Sequence, residues 1–194
     1  AVAALVEFFT DGCHKAVEAG ARPIEALLCE AFATAHRKVL EASRNRVEYH
    51  GMGTTLMMAS VQGNRLYTCH VGDVRCYLRT AAGMEQITRD HSVVGALVQA
   101  GELSPEQARV HPMKHELLQT IGLPDDIAPE VNSRALANGD CILLCSDGLW
   151  EALSDEEIHA VIDRGGSMCQ RATQLVDRAN DAGGYDNITV VLYV

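Results

Sequence analysis

The spacing of apolar residues changes near Thr54, and this change restricts the chain to a mixed fold. Residues 1–43 carry apolar side chains at helical spacing and predict two helices, the second of which opens at Pro23. Beyond Thr54, short β-type runs alternate with glycine-containing turns and predict an antiparallel meander, with strands at 54–61, 65–70, 75–79 and 86–88. Helices and antiparallel strands in separate blocks indicate the α+β class.

The rest of the sequence continues this block pattern. Capping-box patterns begin at Ser104, Ser154 and Ser167, and they predict helices within 92–118 and at 154–164 and 167–181. Between these helices, a strand at 130–136 is expected to lead through the Asn138-Gly139 turn to an apolar strand at 140–146. The final run, Ile188–Val194, is apolar and β-branched, which predicts a central, buried strand.

Composition and charge exclude several classes of protein. With 194 residues, of which 47% are hydrophobic and 22% charged, the chain fits one folded domain. The 26 acidic and 16 basic residues give a formal charge of −10, which disfavours binding to nucleic acid. No apolar run has the roughly 18 residues of a membrane span, and the start does not resemble a secretory signal. We therefore expect a cytoplasmic protein that does not enter membranes.

The seven cysteines favour a reducing environment. They form no CxxC pair of the kind that binds zinc or exchanges disulfides, so they are expected to be reduced thiols. Cys141 and Cys145 lie four residues apart in an apolar run, which places both on one face of a strand and predicts that they fill the core. An unrecognised metal or redox role is the alternative.

Three aspartates stand where predicted strands meet turns. They are Asp73 in a Gly-Asp pair, Asp147 in Ser-Asp-Gly and Asp186 in Tyr-Asp-Asn. Taken singly, each has a simple explanation, because aspartate and glycine are ordinary turn residues. Taken together, clustered carboxylates at strand ends are costly unless a divalent cation neutralises them. The pattern therefore predicts a site for Mg²⁺ or Mn²⁺.

Order and context add to this interpretation. Five stretches, at 51–55, 70–75, 88–92, 140–150 and 185–191, together resemble the type 2C (PPM) family of metal-dependent serine/threonine protein phosphatases in its bacterial form. The resemblance covers nearly all of the chain. It implies an α+β fold in the form of a four-layer α/β/β/α sandwich, with two antiparallel β-sheets flanked by helix pairs. It also implies that residues 1–194 are a single catalytic domain.

The resemblance assigns chemistry to the aspartates. Asp147 and Asp186 would ligate one of two adjacent Mg²⁺ or Mn²⁺ ions, and Asp73 with Asp147 would hold a third, weaker ion seen in bacterial members. Asn187 and Gly148 would support these ligands. A metal-activated water would attack phosphorus, so no side chain is expected to act as nucleophile. The alternative cysteinyl-phosphate route of tyrosine phosphatases is not expected.

The match also has departures. The family carries its first metal-ligating aspartate in an Asp-Gly-x-Gly-Gly turn before the first helix, and this sequence begins at that helix. The domain is therefore expected to lack its N-terminal strands, and the chain by itself to hold the two core ions weakly. Val74 replaces the usual serine, and Gln119 stands near a position where the family often has arginine.

Several functions remain open. The first is an active phosphatase that acts on phosphoserine and phosphothreonine in a protein substrate, opposing a serine/threonine kinase, and works as a monomer. The second is a pseudophosphatase that binds phosphoproteins without turnover, and the third is a relative of the sporulation and anti-sigma-antagonist phosphatases.

The segment from 92 to 123 resembles the mobile flap of bacterial members, and Trp150 is predicted to be a packing anchor. His91 is predicted to mark a helix start, with Asp90 or Ser92 as the cap.

Overall fold

The computed structural model describes residues 1–10 and 23–194. The chain forms two compact units. The first comprises Ala1–Gly72, His91–Val93 and His115–Arg134, and the second comprises Asp73–Asp90, Val94–Lys114 and Ala135–Val194. Cys13 lies outside the described residues. None of the described helices is both long enough and apolar enough to cross a membrane.

Seven helices and seven strands, together with a short 3-10 turn at Val47–Tyr49, make up the described part of the chain. In chain order they are α1 Val2–Phe8, α2 Ile24–Asn45, β1 Leu56–Gln62, β2 Arg65–Val71, β3 Arg75–Thr80, β4 Gly83–Gln86, α3 Val93–Gln99, α4 Pro105–Arg109, β5 Glu130–Ala135, β6 Cys141–Cys145, α5 Asp147–Trp150, α6 Asp155–Ile162, α7 Met168–Asp181 and β7 Val190–Tyr193.

In the first unit, helices lie against a three-stranded sheet of order β1-β2-β5. Strands β1 and β2 form an antiparallel hairpin in which Leu56 pairs with Val71. The apolar stripe of α2, including Phe32, is fully buried and shares one core with residues of β1 and β2. Burial of a side chain as large as that of Phe32 contributes about 1.5–3 kcal/mol to stability.

In the second unit, the sheet has the order β4-β3-β6-β7 and every pairing is antiparallel. Apolar residues of α6 and α7, among them Ile158 and Leu175, share a core with this sheet. Cys141 and Cys145 are buried in the same core, so the prediction that they fill it is confirmed. Two antiparallel sheets with flanking helices confirm the α+β class.

The three predicted helix starts are confirmed. The hydroxyl groups of Ser104, Ser154 and Ser167 each accept a hydrogen bond from the main-chain N–H three residues later, and the residue there bonds back to the serine N–H. These reciprocal bonds satisfy two N–H groups that the first helical turn leaves without a partner inside the helix. The signal is local, which explains why it could be predicted from sequence.

The predicted meander is wrong. Strands β2 and β3 follow one another in the chain but belong to different sheets, and the same holds for β5 and β6. The chain leaves β2 at Gly72, which has a φ of +101°, and there it turns instead of forming a hairpin. Alternating apolar residues identified the strands, but that pattern does not determine which strands pair.

Two strand predictions need correction. Strand β4 covers Gly83–Gln86, ahead of the predicted run at 86–88, because Thr80 pairs with Gly83 around a two-residue turn. Thr88 lies outside the strand, and its hydroxyl accepts a hydrogen bond from the Cys76 N–H at 3.0 Å. Strand β7 is at the edge of its sheet and alternates between half-buried and exposed residues, so it is not the central, buried strand that was expected.

Candidate metal centre

Asp73 lies in the turn that precedes β3 and is buried. Burial, followed by the negative charge of Asp147, raises the pKa of Asp73 to about 6. The turn depends on Gly72, because a Cβ atom there would meet Thr55 Cγ2 at 2.3 Å. Two further bonds hold Gly72. Its carbonyl accepts from the His91 N–H at 3.0 Å, and its N–H donates to His91 Nδ1 at 3.3 Å.

Asp147 directly follows Ser146 at the end of β6 and is the first residue of α5. Its Oδ1 accepts a hydrogen bond from the Gly148 N–H at 2.9 Å. Burial is the main cause that raises the pKa of Asp147, and the charge of Asp186 is the second. The side chain is half-buried, so it combines partial desolvation with access to solvent.

Asp186 is exposed in the loop before β7, and its Oδ1 accepts from the Asn187 N–H at 2.6 Å. This loop is fixed to the end of β6 by Ser146. The hydroxyl of Ser146 donates to the Asn187 carbonyl at 3.0 Å and accepts from the Thr189 N–H at 2.9 Å. Asn187 thus contributes through its main chain, and the linking role of Ser146 was not predicted.

The three aspartates are related in two electrostatic pairs. Asp73 interacts with Asp147, and Asp147 interacts with Asp186. Among residues 1–10 and 23–194, no three His, Cys, Asp or Glu side chains form one group arranged to hold a metal ion. Carboxylates that repel one another are suited to a hard divalent cation. Each pair would offer two carboxylate groups, the oxygen ligands that Mg²⁺ and Mn²⁺ prefer, and the ligand roles stay a prediction.

Trp150 is buried, as expected of a packing anchor, and it also contacts the stretch that carries Asp73. Its indole Nε1–H donates to the main-chain carbonyl of Asp73 at 3.1 Å. The guanidinium of Arg75 lies 3.7 Å from the centre of the indole ring. The Trp150 side chain, at the end of α5, thus contacts both the main chain of Asp73 and the guanidinium of Arg75.

Arg75 is fixed in turn by Asp90, a contact that sequence reasoning missed. Arg75 Nη2 and Nε donate to Asp90 Oδ2 and Oδ1 at 2.7 Å and 3.0 Å, and both side chains are largely buried. The sequence predicted Asp90 or Ser92 as a helix cap, and the carboxylate of Asp90 forms this ion pair. No local sequence signal marks the pair, because β4 separates the two residues in the chain.

The buried thiols are unsuited to nucleophilic catalysis. Burial raises the pKa of Cys69, Cys76, Cys141 and Cys145, to about 12 in the case of Cys76. A thiol acts as a nucleophile in its thiolate form, and these four groups hold their protons at neutral pH. Cys69 and Arg75 have the Cys-x5-Arg spacing of cysteinyl-phosphate enzymes, but Cys69 is buried within β2 and its raised pKa keeps its thiol protonated.

Known proteins resemble this chain in sequence. A family model described as Protein phosphatase 2C matches residues 1–189. The protein phosphatase PhpP of Streptococcus pneumoniae is 42% identical over 144 residues, which cover 74% of this chain and 58% of PhpP. The chain therefore spans less than two thirds of the length of this curated relative.

Solved structures resemble it in fold. The serine/threonine phosphatase Stp1 of Staphylococcus aureus has a TM-score of 0.82 and 32% identity, covering 87% of this chain and 66% of Stp1. The catalytic domain of the serine/threonine protein phosphatase PstP, solved in complex with 2 manganese ions, has a TM-score of 0.77 and 33% identity. That match covers 86% of this chain and 69% of PstP.

Proposed function

The chain belongs to the protein phosphatase 2C family, and on that premise we propose that it hydrolyses phosphoserine and phosphothreonine in proteins with the help of divalent cations. The observation that carries this proposal is the pairing of its aspartates. The charge of Asp147 contributes to the raised pKa of Asp73, and the charge of Asp186 contributes to that of Asp147; these are the two pairs to which the family resemblance assigns metal ions. A carboxylate shared between two pairs is the feature that a turn-forming role alone does not explain.

We propose that Asp147 and Asp186 hold a core Mg²⁺ or Mn²⁺ ion and that Asp73 and Asp147 hold a weaker one. Such ions, when bound, lower the pKa of a coordinated water and neutralise charge on phosphate oxygens. The protein's own part is to hold the carboxylates in place. Gly148 donates to Asp147, the Asn187 N–H donates to Asp186, and Trp150 holds the main chain of Asp73.

The proposal requires no side-chain nucleophile. The four buried thiols with raised pKa values support this part of it. We further propose that residues 1–194 act as one catalytic domain and a monomer in the cytoplasm, and that a serine/threonine kinase phosphorylates its substrate. The formal charge of −10 supports a protein partner over nucleic acid.

The test is phosphate release from a phosphothreonine peptide by the longest natural form of the protein, measured with Mn²⁺ and with a chelator. We expect release to require Mn²⁺ and to fall at least about 100-fold in Asp147→Asn, because the shared carboxylate is lost. Asp177→Asn is the matched control, since Asp177 is an exposed residue of α7.

Two outcomes would contradict the proposal. Release that persists in the chelator would exclude metal-dependent chemistry. A folded protein that binds the phosphopeptide but releases no phosphate with Mn²⁺ or Mg²⁺ would support the phosphoprotein-binding pseudophosphatase instead. Circular dichroism of both variants distinguishes lost chemistry from lost folding.

A further inference from the structure

The second unit contains a cavity of about 370 Å³ that the proposed reaction does not use. Val94 and Val98 of α3, Ala108 of α4 and Trp150 of α5 supply much of its apolar lining. This volume falls within the range of small-molecule sites, which are mostly apolar with a few polar groups. The cavity therefore has the size and lining of a ligand site.

The charges around this cavity favour an anion. Its lining carries four basic and three acidic side chains, whereas the whole chain has 16 basic and 26 acidic residues. Most of these charges are engaged with one another. Arg75 pairs with Asp90, and Lys114 donates to Glu151 at 3.2 Å. The cavity lining thus has a small excess of positive charge, although the chain as a whole is acidic.

Arg109 is the basic residue of this lining that we consider as the partner of an anion. Its Nη2 donates to the main-chain carbonyls of Trp150 at 2.6 Å and Leu153 at 3.1 Å. These acceptors are uncharged and Arg109 is exposed to solvent, while the Glu156 carboxylate of α6 interacts electrostatically with its guanidinium. A carboxylate or sulfonate would make stronger, charge-assisted hydrogen bonds with Arg109 than the carbonyls do.

The cavity is connected to the aspartates through α5. This helix begins at Asp147 and ends at Trp150, whose indole donates to the Asp73 carbonyl and whose own carbonyl accepts from Arg109. A ligand that draws Arg109 away releases the C-terminal end of α5. The residue that joins Asp73 to Asp147 would then be held less firmly.

We propose that this cavity binds a small aromatic anion, with the ring against Trp150 and the acid group on Arg109, and that occupancy weakens divalent-cation binding by the Asp73 and Asp147 pair. The effect on divalent-cation binding rests on the proposed function, since it takes these aspartates as metal ligands. Binding of the aromatic anion in the cavity does not depend on the proposed function. Binding in the cavity can therefore be tested on metal-free protein.

The binding test uses anilinonaphthalene sulfonate as the probe. Trp150 is the single tryptophan of the chain, so energy transfer to the bound probe has one donor, and the cavity variants locate the site. We expect saturable binding at one site. Ala108→Phe fills the cavity and should weaken binding about tenfold, and Arg109→Gln should do the same while Arg109→Lys restores most of the affinity.

The control is Val47→Phe, which adds the same ring at a residue that is 92% exposed in the first unit. Thermal unfolding of every variant separates a filled cavity from a damaged fold. Probe binding that does not saturate, or that Ala108→Phe leaves unchanged, would overturn the cavity as a site. Displacement of the probe by the phosphothreonine peptide would show that the cavity belongs to the substrate groove, which also overturns the proposal.

The coupling test is a calorimetric titration with Mn²⁺, with and without saturating probe. Because coupling between two ligands is reciprocal, we expect the probe to weaken Mn²⁺ binding by roughly fivefold and Mn²⁺ to weaken probe binding by the same factor. Equal Mn²⁺ affinities in the two titrations would overturn the coupling. Phosphate release plays no part in this readout, so failure of the proposed function remains distinguishable from failure of the coupling.

Discussion

Gly148 occupies a position that leaves no space for a side chain. A Cβ atom there would lie 2.6 Å from the Asn187 carbonyl oxygen and 3.0 Å from its carbon, and both belong to main chain that cannot rotate away. Asp147 and Asp186 are the immediate neighbours of these two residues. The close approach of the segments that carry Asp147 and Asp186 thus requires glycine at position 148.

We therefore expect Gly148→Ala to lower the free energy of unfolding by about 1–3 kcal/mol, because it overpacks a contact between main-chain segments. Mn²⁺ binding should weaken together with it. Gly165→Ala is the matched control, since a Cβ atom at Gly165 meets no heavy atom within 4 Å. Urea unfolding and Mn²⁺ calorimetry of the two variants provide the measurement, and equal values would contradict the expectation.

Trp150 combines a buried ring with a single hydrogen bond, and two substitutions separate these contributions. Trp150→Phe keeps an aromatic ring but removes the N–H that the Asp73 carbonyl accepts, so it should cost about 1 kcal/mol. Trp150→Ala also leaves a cavity and should cost about 3–5 kcal/mol. Unfolding must be followed by circular dichroism, because both variants lack the tryptophan signal. Similar losses in the two variants would contradict the assignment.

Between elements, the ion pair of Arg75 and Asp90 joins β3 to the stretch that precedes α3. Both side chains are largely buried, at 14% and 10% exposure. Removing one partner of such a pair leaves a buried charge without compensation, so Asp90→Ala should cost about 3–5 kcal/mol. In the double variant Asp90→Ala with Arg75→Leu, we expect a smaller total loss than the sum of the single losses. Additive losses in urea unfolding would show that the pair does not interact.

The elements differ in how far they could be predicted. Helices α4, α6 and α7 begin at the predicted serines, because a capping box is contained within four consecutive residues. The partners of the strands were not predictable in this way. Strand β3 pairs with β6, and Arg75 is opposite Cys145, a contact between residues far apart in the chain.

The same distinction applies to the candidate site. Asp73, Asp147 and Asp186 were recognised because each stands in a short motif. The bonds of Ser146 to the loop before β7, and of Trp150 to Asp73, join separate motifs and appear only in the folded chain. Motifs thus predict which residue types are present at a site, and pairing of distant strands determines how they are held.

Across the chain, buried thiols make stability depend on pH. Burial raises the pKa of Cys69, Cys76, Cys141 and Cys145 above the ordinary value of 9.0. Below that pH both folded and unfolded chains keep these protons. Above it the unfolded chain loses them first, so the free energy of unfolding should fall by about 1.4 kcal/mol per pH unit for each such thiol.

Urea unfolding in a reducing buffer, from about pH 8 to about pH 10.5, checks this slope. Cys76→Ala should reduce it, and Cys169→Ala should leave it unchanged because Cys169 is exposed. A flat profile in this range would contradict the assignment. So would equal slopes in the Cys76→Ala variant and the unaltered protein.

The pairing of β3 with β6 also bears on how fast the protein reaches its folded state. Arg75 can meet Cys145 only after the long loop between them has closed, and closure costs conformational entropy before the ladder gains any hydrogen bond. Asp73 lies just ahead of β3 and Asp147 just beyond β6, so this late kinetic event also brings the two carboxylates together. During refolding, Mn²⁺ capture should therefore follow collapse and coincide with the slow phase.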